Sequence, residues 1–298
     1  MVDDGSFLDF KDLPDYLLED DSVFSNYFSN LPPNRTTTGN FGIDEAYVIA
    51  KADEGYKDTF INDNFWDEEK GIPILPPITT NEQGFRSDSW INNGEGIVTV
   101  GCSDTFGIGQ FYERTWPKLV SKYLNLNTYN LAWPGASFEY CYKALKRYLP
   151  EINTKRVFIL IPSVERLEFY CDNYKGSVTG FGAEDLTISF PFLTKEQAEQ
   201  LKAYYYNFHT HVRNTLINYN RTLDAIKYVC DHQKVELHTL VNPEFGSLGH
   251  RKYIYQTFKG HTKGYAGVRK DDLAIDTKHR GKIWHIMISD YFINQLPH

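Results

Sequence analysis

Residues 96–107 read Gly-Ile-Val-Thr-Val-Gly-Cys-Ser-Asp-Thr-Phe-Gly, and their order decides the fold. Ile97 to Val100 form a short apolar run of strand length, closed by Gly101, as expected of a strand buried on both faces. A serine at the strand-to-helix turn that follows, flanked by glycines, presents its hydroxyl at the edge of the sheet. Its own backbone N–H is then aimed at any oxyanion that develops there.

Working outward, the same alternation recurs. Trp116, Leu119, Val120 and Tyr123 fall at helical spacing within 114–124. Residues 127–131 predict a second short strand ahead of Pro134-Gly135. Residues 137–148 predict a helix stopped before Pro150, and 156–161 a buried strand of five apolar residues after Arg156, closed by Pro162. The stretch 171–193, rich in Gly and Thr, reads as an excursion. Thr194 and Gln197 make a capping box at the head of a long helical pattern, 194–232, expected to break near Asn218-Tyr219-Asn220. A strand at 235–241 is stopped by Pro243, and a last helix follows Gly281. Strands alternating with helices predict a parallel sheet covered on both faces, with ligands at the carboxyl ends of its strands.

Residues 1–80 have a different character. Eight acids and one base, Lys11, lie between Met1 and Asp21, interleaved with Phe7, Leu8, Phe10, Leu13, Tyr16, Leu17 and Leu18. Apolar residues at that density point to a segment that docks on a surface rather than one that stays solvated. Pro32-Pro33, Thr36-Thr37-Thr38-Gly39, Pro73, Pro76 and Pro77 then punctuate a loop-rich stretch. The division expected is an acidic, aromatic, loop-rich N-terminal extension at 1–80 and a second domain at 81–298.

Composition excludes several classes. The chain has 298 residues, 41% hydrophobic and 23% charged, which is enough for a sizeable core and too apolar for general disorder. A net charge of −8 has the wrong sign for a nucleic-acid binder. No apolar run is long enough to span a bilayer, and the acidic N-terminus lacks the basic, apolar pattern of a signal peptide. The expectation is cytoplasmic synthesis with no membrane partner. Cys102, Cys141, Cys171 and Cys230 are scattered without a Cys-x-x-Cys pair, so no zinc ribbon or disulfide framework is suggested.

Two further segments fall where ligands are expected. Asn130-Leu131-Ala132-Trp133-Pro134-Gly135-Ala136-Ser137 follows the second strand, and Gly135 lets the backbone approach a ligand closely, its N–H serving as a second oxyanion donor. Asp276-Thr277-Lys278-His279-Arg280-Gly281 precedes the last helix. Its three-residue spacing lets Asp276 fix the tautomer of His279 while the other ring nitrogen faces Ser103.

Together these blocks resemble the SGNH (GDSL-type) hydrolase family over roughly 81–298. The opening Asn81-Glu82-Gln83-Gly84-Phe85-Arg86 is similar to the lead-in many members carry. Gly101-Cys102-Ser103 is similar to a variant of the family's Gly-Asp-Ser, and Asp276 with His279 to its closing Asp-x-x-His, trailed by Gly281 and His285. The resemblance implies a three-layer α/β/α sandwich with a mainly parallel, flavodoxin-like sheet, and hydrolysis of an acyl ester without metal or cofactor. Ser103 is then the nucleophile, His279 the general base and acid, and Asp276 its orienter, with oxyanion donors from Ser103 and Gly135. The family's oxyanion asparagine, expected after the third strand, is replaced by Val164, which has no side-chain donor. Ser163 is carried forward as the third donor, with Arg166 and Asn173 as other side chains able to reach in.

Plainer roles stand beside these. Asp276 at an N-cap, His285 as a packed or hydrogen-bonded residue, and Cys102 as a small buried hydrophobe are all ordinary uses. His209 and His211 fall on different faces of the predicted helix, so they do not make a metal pair, and Gly107-Ile108-Gly109 lacks the rest of a dinucleotide fingerprint. Tyr204, Tyr205 and Tyr206 read as core or interface, and the locally basic stretch 250–270 as a solvated loop or the lining of a cleft for an acidic ligand. Two functions stay open. One is an ester hydrolase acting on a small acyl ester or an acetylated glycan. The other is a weakened or inactive structural protein of the same fold, resembling hydrolase-like phage proteins, held in a virion through a protein partner of residues 1–80.

Overall fold

The computed structural model describes residues 34–37, 45–91, 94–163, 166, 168–171, 174–179, 194–209, 211–241, 272–275, 277 and 279–296. At its centre four strands, β1 (Gly96–Val100), β2 (Asn127–Asn130), β3 (Thr154–Ile161) and β4 (Glu236–Val241), pair in the order β4-β3-β1-β2, every neighbour parallel. In register, Val98 lies beside Val157 and Tyr129, and Leu240 beside Leu160.

Successive side chains on a strand point to opposite faces, and here both faces are covered. On one, Ile97, Phe158, Leu160 and Leu240 pack with Trp116 and Val120 of α2 (Trp116–Leu124) and with Trp284, Ile288 and Phe292 of α6 (Lys282–Ile293). On the other, Val98, Val100, Val157, Ile159 and Ile161 meet Cys141, Ala144 and Leu145 of α3 (Phe138–Tyr148) and Ile226 and Cys230 of α5 (Val212–Gln233). This is the α/β/α arrangement expected from the alternating pattern. The chain leaves β1 toward β2 on one side and returns to β3 on the other, so the loops after β1 and β3 diverge and leave a crevice between them. Directly after β1 comes the single turn α1 (Ser103–Phe106), and α4 (Lys195–Tyr204) precedes α5.

Local chemistry sets the helix ends. Ser137 caps α3 by accepting from the N–H of Tyr140 at 3.0 Å. The Thr194–Gln197 capping box forms in full at the head of α4. The expected break at 218–220 does not occur. It falls earlier, at Tyr205–His209, where the backbone makes a π-turn, after which α5 runs unbroken past Asn220. Asn218 and Asn220 face solvent, so their amides do not compete for the backbone, while Tyr219 between them stacks on Phe138 at 5.3 Å. Similarly, α2 begins at Trp116 rather than 114, because Thr115 is extended and Pro117 suits the first turn of a helix. Residues 171–193 are described only in part, as an antiparallel hairpin of Glu168–Cys171 with Tyr174–Thr179.

Residues 45–79, expected to be loop-rich, contain two short helices, Glu45–Lys51 and Lys57–Asn62. Val48, Phe60, Phe65 and Ile78 from this stretch join the same core cluster as Val98 and Phe85. Phe65 stacks on Phe111 at 5.4 Å, and the Arg114 guanidinium donates to the Asp63 carbonyl. A core shared across residue 80 means that trimming the chain there removes core side chains; residues 1–33 lie outside the described residues. No helix among the described residues is long and apolar enough to cross a membrane.

The final helix depends on one buried carboxylate. Asp272 accepts from the N–H groups of Ile283 at 3.0 Å and Trp284 at 2.6 Å, and its carbonyl accepts from Gly281. Replacing Asp272 by Ala leaves those donors without their acceptor and should lower stability by about 2 kcal/mol. Urea unfolding of the two proteins, with Asp272→Asn as an intermediate case, measures it.

Candidate active site

Ser103 sits at the end of the central strand because the chain has no other way out. At Gly101 a Cβ would lie 2.1 Å from Thr105 Oγ1 and 2.9 Å from the Leu160 carbonyl, so only glycine passes. Cys102 is extended, and its carbonyl accepts from Thr105 and Phe106 to start the turn of α1. Gly107 closes the turn in the left-handed region at φ 82°, donating its N–H to the Ser103 carbonyl at 2.8 Å. Cys102, Thr105 and Phe106 are fully buried, whereas Ser103 keeps 7% of its surface exposed. Burial pushes the Cys102 thiol up, away from the thiolate form. Cys102 is thus packing material rather than a nucleophile.

Arg86 holds this turn from below. Its Nη1 donates to the carbonyls of Phe106 and Gly107, and its Nη2 to those of Gln110 at 2.7 Å and Pro77 at 3.1 Å. The guanidinium also faces the rings of Phe106 and Tyr112. Burial pushes its pKa down to about 10, which still leaves it charged at neutral pH. The segment 81–86 exists to present it: Asn81 Oδ1 accepts from the N–H groups of Gln83 and Phe85, folding a tight turn that aims Arg86 inward.

The second expected block is fastened to the first. Asn130 at the end of β2 is buried; its Oδ1 accepts from Thr99 Oγ1 and the Ala132 N–H, and its Nδ2 donates to the Thr105 carbonyl at 3.1 Å. The N–H of Trp133 reaches the Gly101 carbonyl at 3.2 Å. Gly135 turns the chain at φ 80°, two residues before the Ser137 cap. Beyond β3, Ser163 is half-buried, and its carbonyl accepts from the Arg166 N–H at 3.2 Å. The Arg166 Nη1 crosses to the Ala136 carbonyl at 2.7 Å. Val164 and Asn173 lie outside the described residues.

The closing block arrives by another route. The N–H of Ile275 donates to the Gly109 carbonyl at 3.2 Å, bringing the loop beside the nucleophile turn. Leu273 and Arg280 bridge its base, Ala274 donates to the His279 carbonyl at 2.9 Å, and Thr277 takes the left-handed conformation at φ 57°. His279 is half-buried within this loop; Asp276 lies outside the described residues. Asp272 caps α6, a role that no spacing signal indicated. The structure therefore brings the segments of Ser103, Gly135, Ser163 and His279 to one end of the sheet. Arg86, Asn130 and Asp272 hold those segments, and nothing in the sequence marks them for it, although Arg86 and Asn130 lie within the motifs at 81–86 and 130–137.

His285 is a structural residue, 1% exposed, whose Nδ1 accepts from the N–H of Trp116 at 3.2 Å and so caps α2. Burial, with Arg86 and His279 adding to it, pushes the imidazole down to about 3. Among the described residues no three His, Cys, Asp or Glu side chains gather to hold a metal ion.

No family model matches the chain, and no curated protein matches it. Solved structures similar to it include a protein from Desulfitobacterium hafniense DCB-2 ascribed to the lipolytic G-D-S-L family, at 13% identity and TM-score 0.42, covering 68% of this chain and all of its own. Others are the psychrotrophic esterase EstA from Pseudoalteromonas sp. inhibited by monoethylphosphonate (14% identity, TM-score 0.39, 68% of this chain and 96% of that one) and TesA (14%, 0.29, 68% and 98%).

Two measurements probe the supports of the site. Arg86→Met strips four carbonyls of their donor and should destabilise the protein by about 3 kcal/mol or more, read from denaturant midpoints. His285 ties stability to pH. The unfolded imidazole takes a proton below its ordinary 6.5, the folded one only near 3. Its contribution is therefore complete above pH 6.5 and drains as pH falls toward 3. Between pH 7 and pH 4 the wild type should lose about 3 kcal/mol that His285→Gln, which can still accept from Trp116, does not.

Proposed function

We propose that this protein is a serine hydrolase of acyl esters, with the SGNH-type constellation. The observation that supports this reading is a set of hydrogen bonds linking the loops that leave β1, β2 and β3 and the closing segment. Trp133 reaches Gly101 and Ile275 reaches Gly109, so two segments are held against the stretch around Ser103, and Arg166 ties the loop after β3 to one of them at Ala136.

In the proposed reaction, Ser103 Oγ attacks the acyl carbonyl carbon while its proton passes to an imidazole nitrogen of His279. The carbonyl π electrons move onto oxygen, which the N–H groups of Ser103 and Gly135 stabilise. Collapse restores the carbonyl, and the alcohol leaves with the proton from His279. Water then repeats the sequence on the acyl-serine, releasing the acid and regenerating Ser103. Asp276 is proposed to hold the ring in the tautomer this requires. Fixed N–H dipoles suit the task because they need no reorganisation as charge develops.

The finer proposal for substrate is an O-acetyl group on a glycan, on the ground that an aromatic-rich chain suits sugar recognition. Hydrolysis of p-nitrophenyl acetate tests the coarser reading. Wild type should turn it over, and Ser103→Ala should lose at least about 10³-fold in kcat/KM with the fold intact by circular dichroism. Equal rates for the two proteins would end the reading. Release of acetate from an acetylated oligosaccharide tests the finer one.

A further inference from the structure

We infer that Tyr47, on the short helix Glu45–Lys51, is a positioning residue for the proposed base: its hydroxyl meets that of Thr277 and holds the turn that carries the chain to His279. The inference rests on the ester-hydrolase reading and extends its machinery into the residues ahead of 80.

The turn needs a support. The Thr277 N–H donates to the Ala274 carbonyl at 2.9 Å, and the Ala274 N–H donates to the His279 carbonyl at 2.9 Å, so the chain reverses between them. Leu273 and Arg280 bridge the base of this reversal. Thr277 makes it in the left-handed conformation, at φ 57°. Glycine or asparagine suits that place; a β-branched residue there is strained, and such strain persists only where the surroundings impose it. A glycine would make the same turn at ease. What threonine brings to it is a hydroxyl.

Tyr47 is what that hydroxyl meets, at 3.4 Å and across 230 positions of sequence. The neighbours of Tyr47 fix the direction of approach. Val48 is fully buried and joins the core cluster that contains Ile275, two residues before Thr277. Phe60 and Phe65, further along the same stretch, belong to that cluster too. Burial pushes the Asp63 carboxyl up, Asp272 pushes it further and Lys282 opposes, so this stretch also lies within electrostatic reach of both ends of the closing block. Tyr47 acts through Thr277 and takes no part in proton transfer. The contact is long for two hydroxyls, so its loss loosens the loop rather than dismantling it. Misplacing a reacting group by about 1 Å costs up to about 10²-fold in rate, and a weak support should cost nearer tenfold.

Steady-state hydrolysis of p-nitrophenyl acetate by the full chain, with Ser103→Ala as the blank and thermal midpoints as the check on folding, tests it. The variants are Tyr47→Phe, Thr277→Ser, Thr277→Val and the double change Tyr47→Phe with Thr277→Val. The expected result is a loss of about tenfold in kcat for Tyr47→Phe and for Thr277→Val, with KM within about threefold. Thr277→Ser keeps the hydroxyl and should hold kcat within about twofold of wild type. The double variant should be no slower than the slower single one, since both changes remove one contact. Should one position not fold when changed, the other carries the test. Unchanged kcat in folded Tyr47→Phe, equal losses in Thr277→Ser and Thr277→Val, losses that multiply in the double variant, or a loss confined to KM overturns the role of Tyr47 and leaves the hydrolase reading standing. Absence of Ser103-dependent turnover in the wild type overturns both.

Discussion

A buried guanidinium stabilised by a cluster of carbonyl dipoles is the constraint on which this structure turns. Arg86 is almost fully enclosed, and among the described residues it meets the carbonyls of Pro77, Phe106, Gly107 and Gln110 and the faces of Phe106 and Tyr112. Taking a charge out of water is expensive, and dipoles arranged around it must recover that energy together. The loop 106–110 therefore cannot relax independently: every carbonyl that turns away raises the energy of the cation. Gly107 shows how tightly this is set. A Cβ there would lie 2.3 Å from Thr115 Cγ2 and 3.2 Å from Arg86 Nη1, in a left-handed conformation that other residues rarely adopt.

From that fixed loop the rest of the site is assembled by single hydrogen bonds across short gaps. Asn130 reads three groups at once, Thr99, Thr105 and Ala132, so the exit of β2 is keyed to the exit of β1. Gly109 receives Ile275, and Ala136 receives Arg166. A side chain with few soft torsions bonded to backbone at both ends holds position far better than a loop held by surface contacts. This is the economy of a parallel sheet, in which every loop at one edge starts from a buried, immobile strand end.

How much of this was legible in the sequence follows from which forces leave a pattern. The strands were legible because burial on both faces demands unbroken apolar runs such as Val157 to Ile161, and the capping box at Thr194 because it is a local contact three residues apart. The break in the long helical pattern was misplaced because Asn218 and Asn220 look like breakers by type, whereas solvent exposure makes them harmless there. The supports of the site left almost no signal. Arg86 bonds to carbonyls, which every residue possesses, and its partners lie up to 24 positions away. Helix capping by Asp272 could not be read either, since the carboxylate reaches Ile283 and Trp284 across the Leu273–Arg280 bridge, eleven and twelve positions on.

That capping arrangement constrains the proposed relay. The segment 272–281 contains two carboxylates, Asp272 and Asp276, and one imidazole, His279. Both oxygens of Asp272 are turned to backbone N–H groups of the last helix, at 3.0 and 2.6 Å, and the residue is buried beneath Gly281, where a Cβ would lie 2.3 Å from Asp272 Oδ1. A carboxylate so engaged cannot also orient a ring, because turning either oxygen toward an imidazole abandons a buried N–H. His285 is withdrawn from proton transfer by the same logic. Its Nδ1 is committed to Trp116 and its burial disfavours the charged form. Asp272 and His285 thus have their hydrogen-bonding directions committed to the starts of helices. The proposed relay to Ser103 therefore draws on His279, which is half-buried in the same loop, and not on Asp272 or His285.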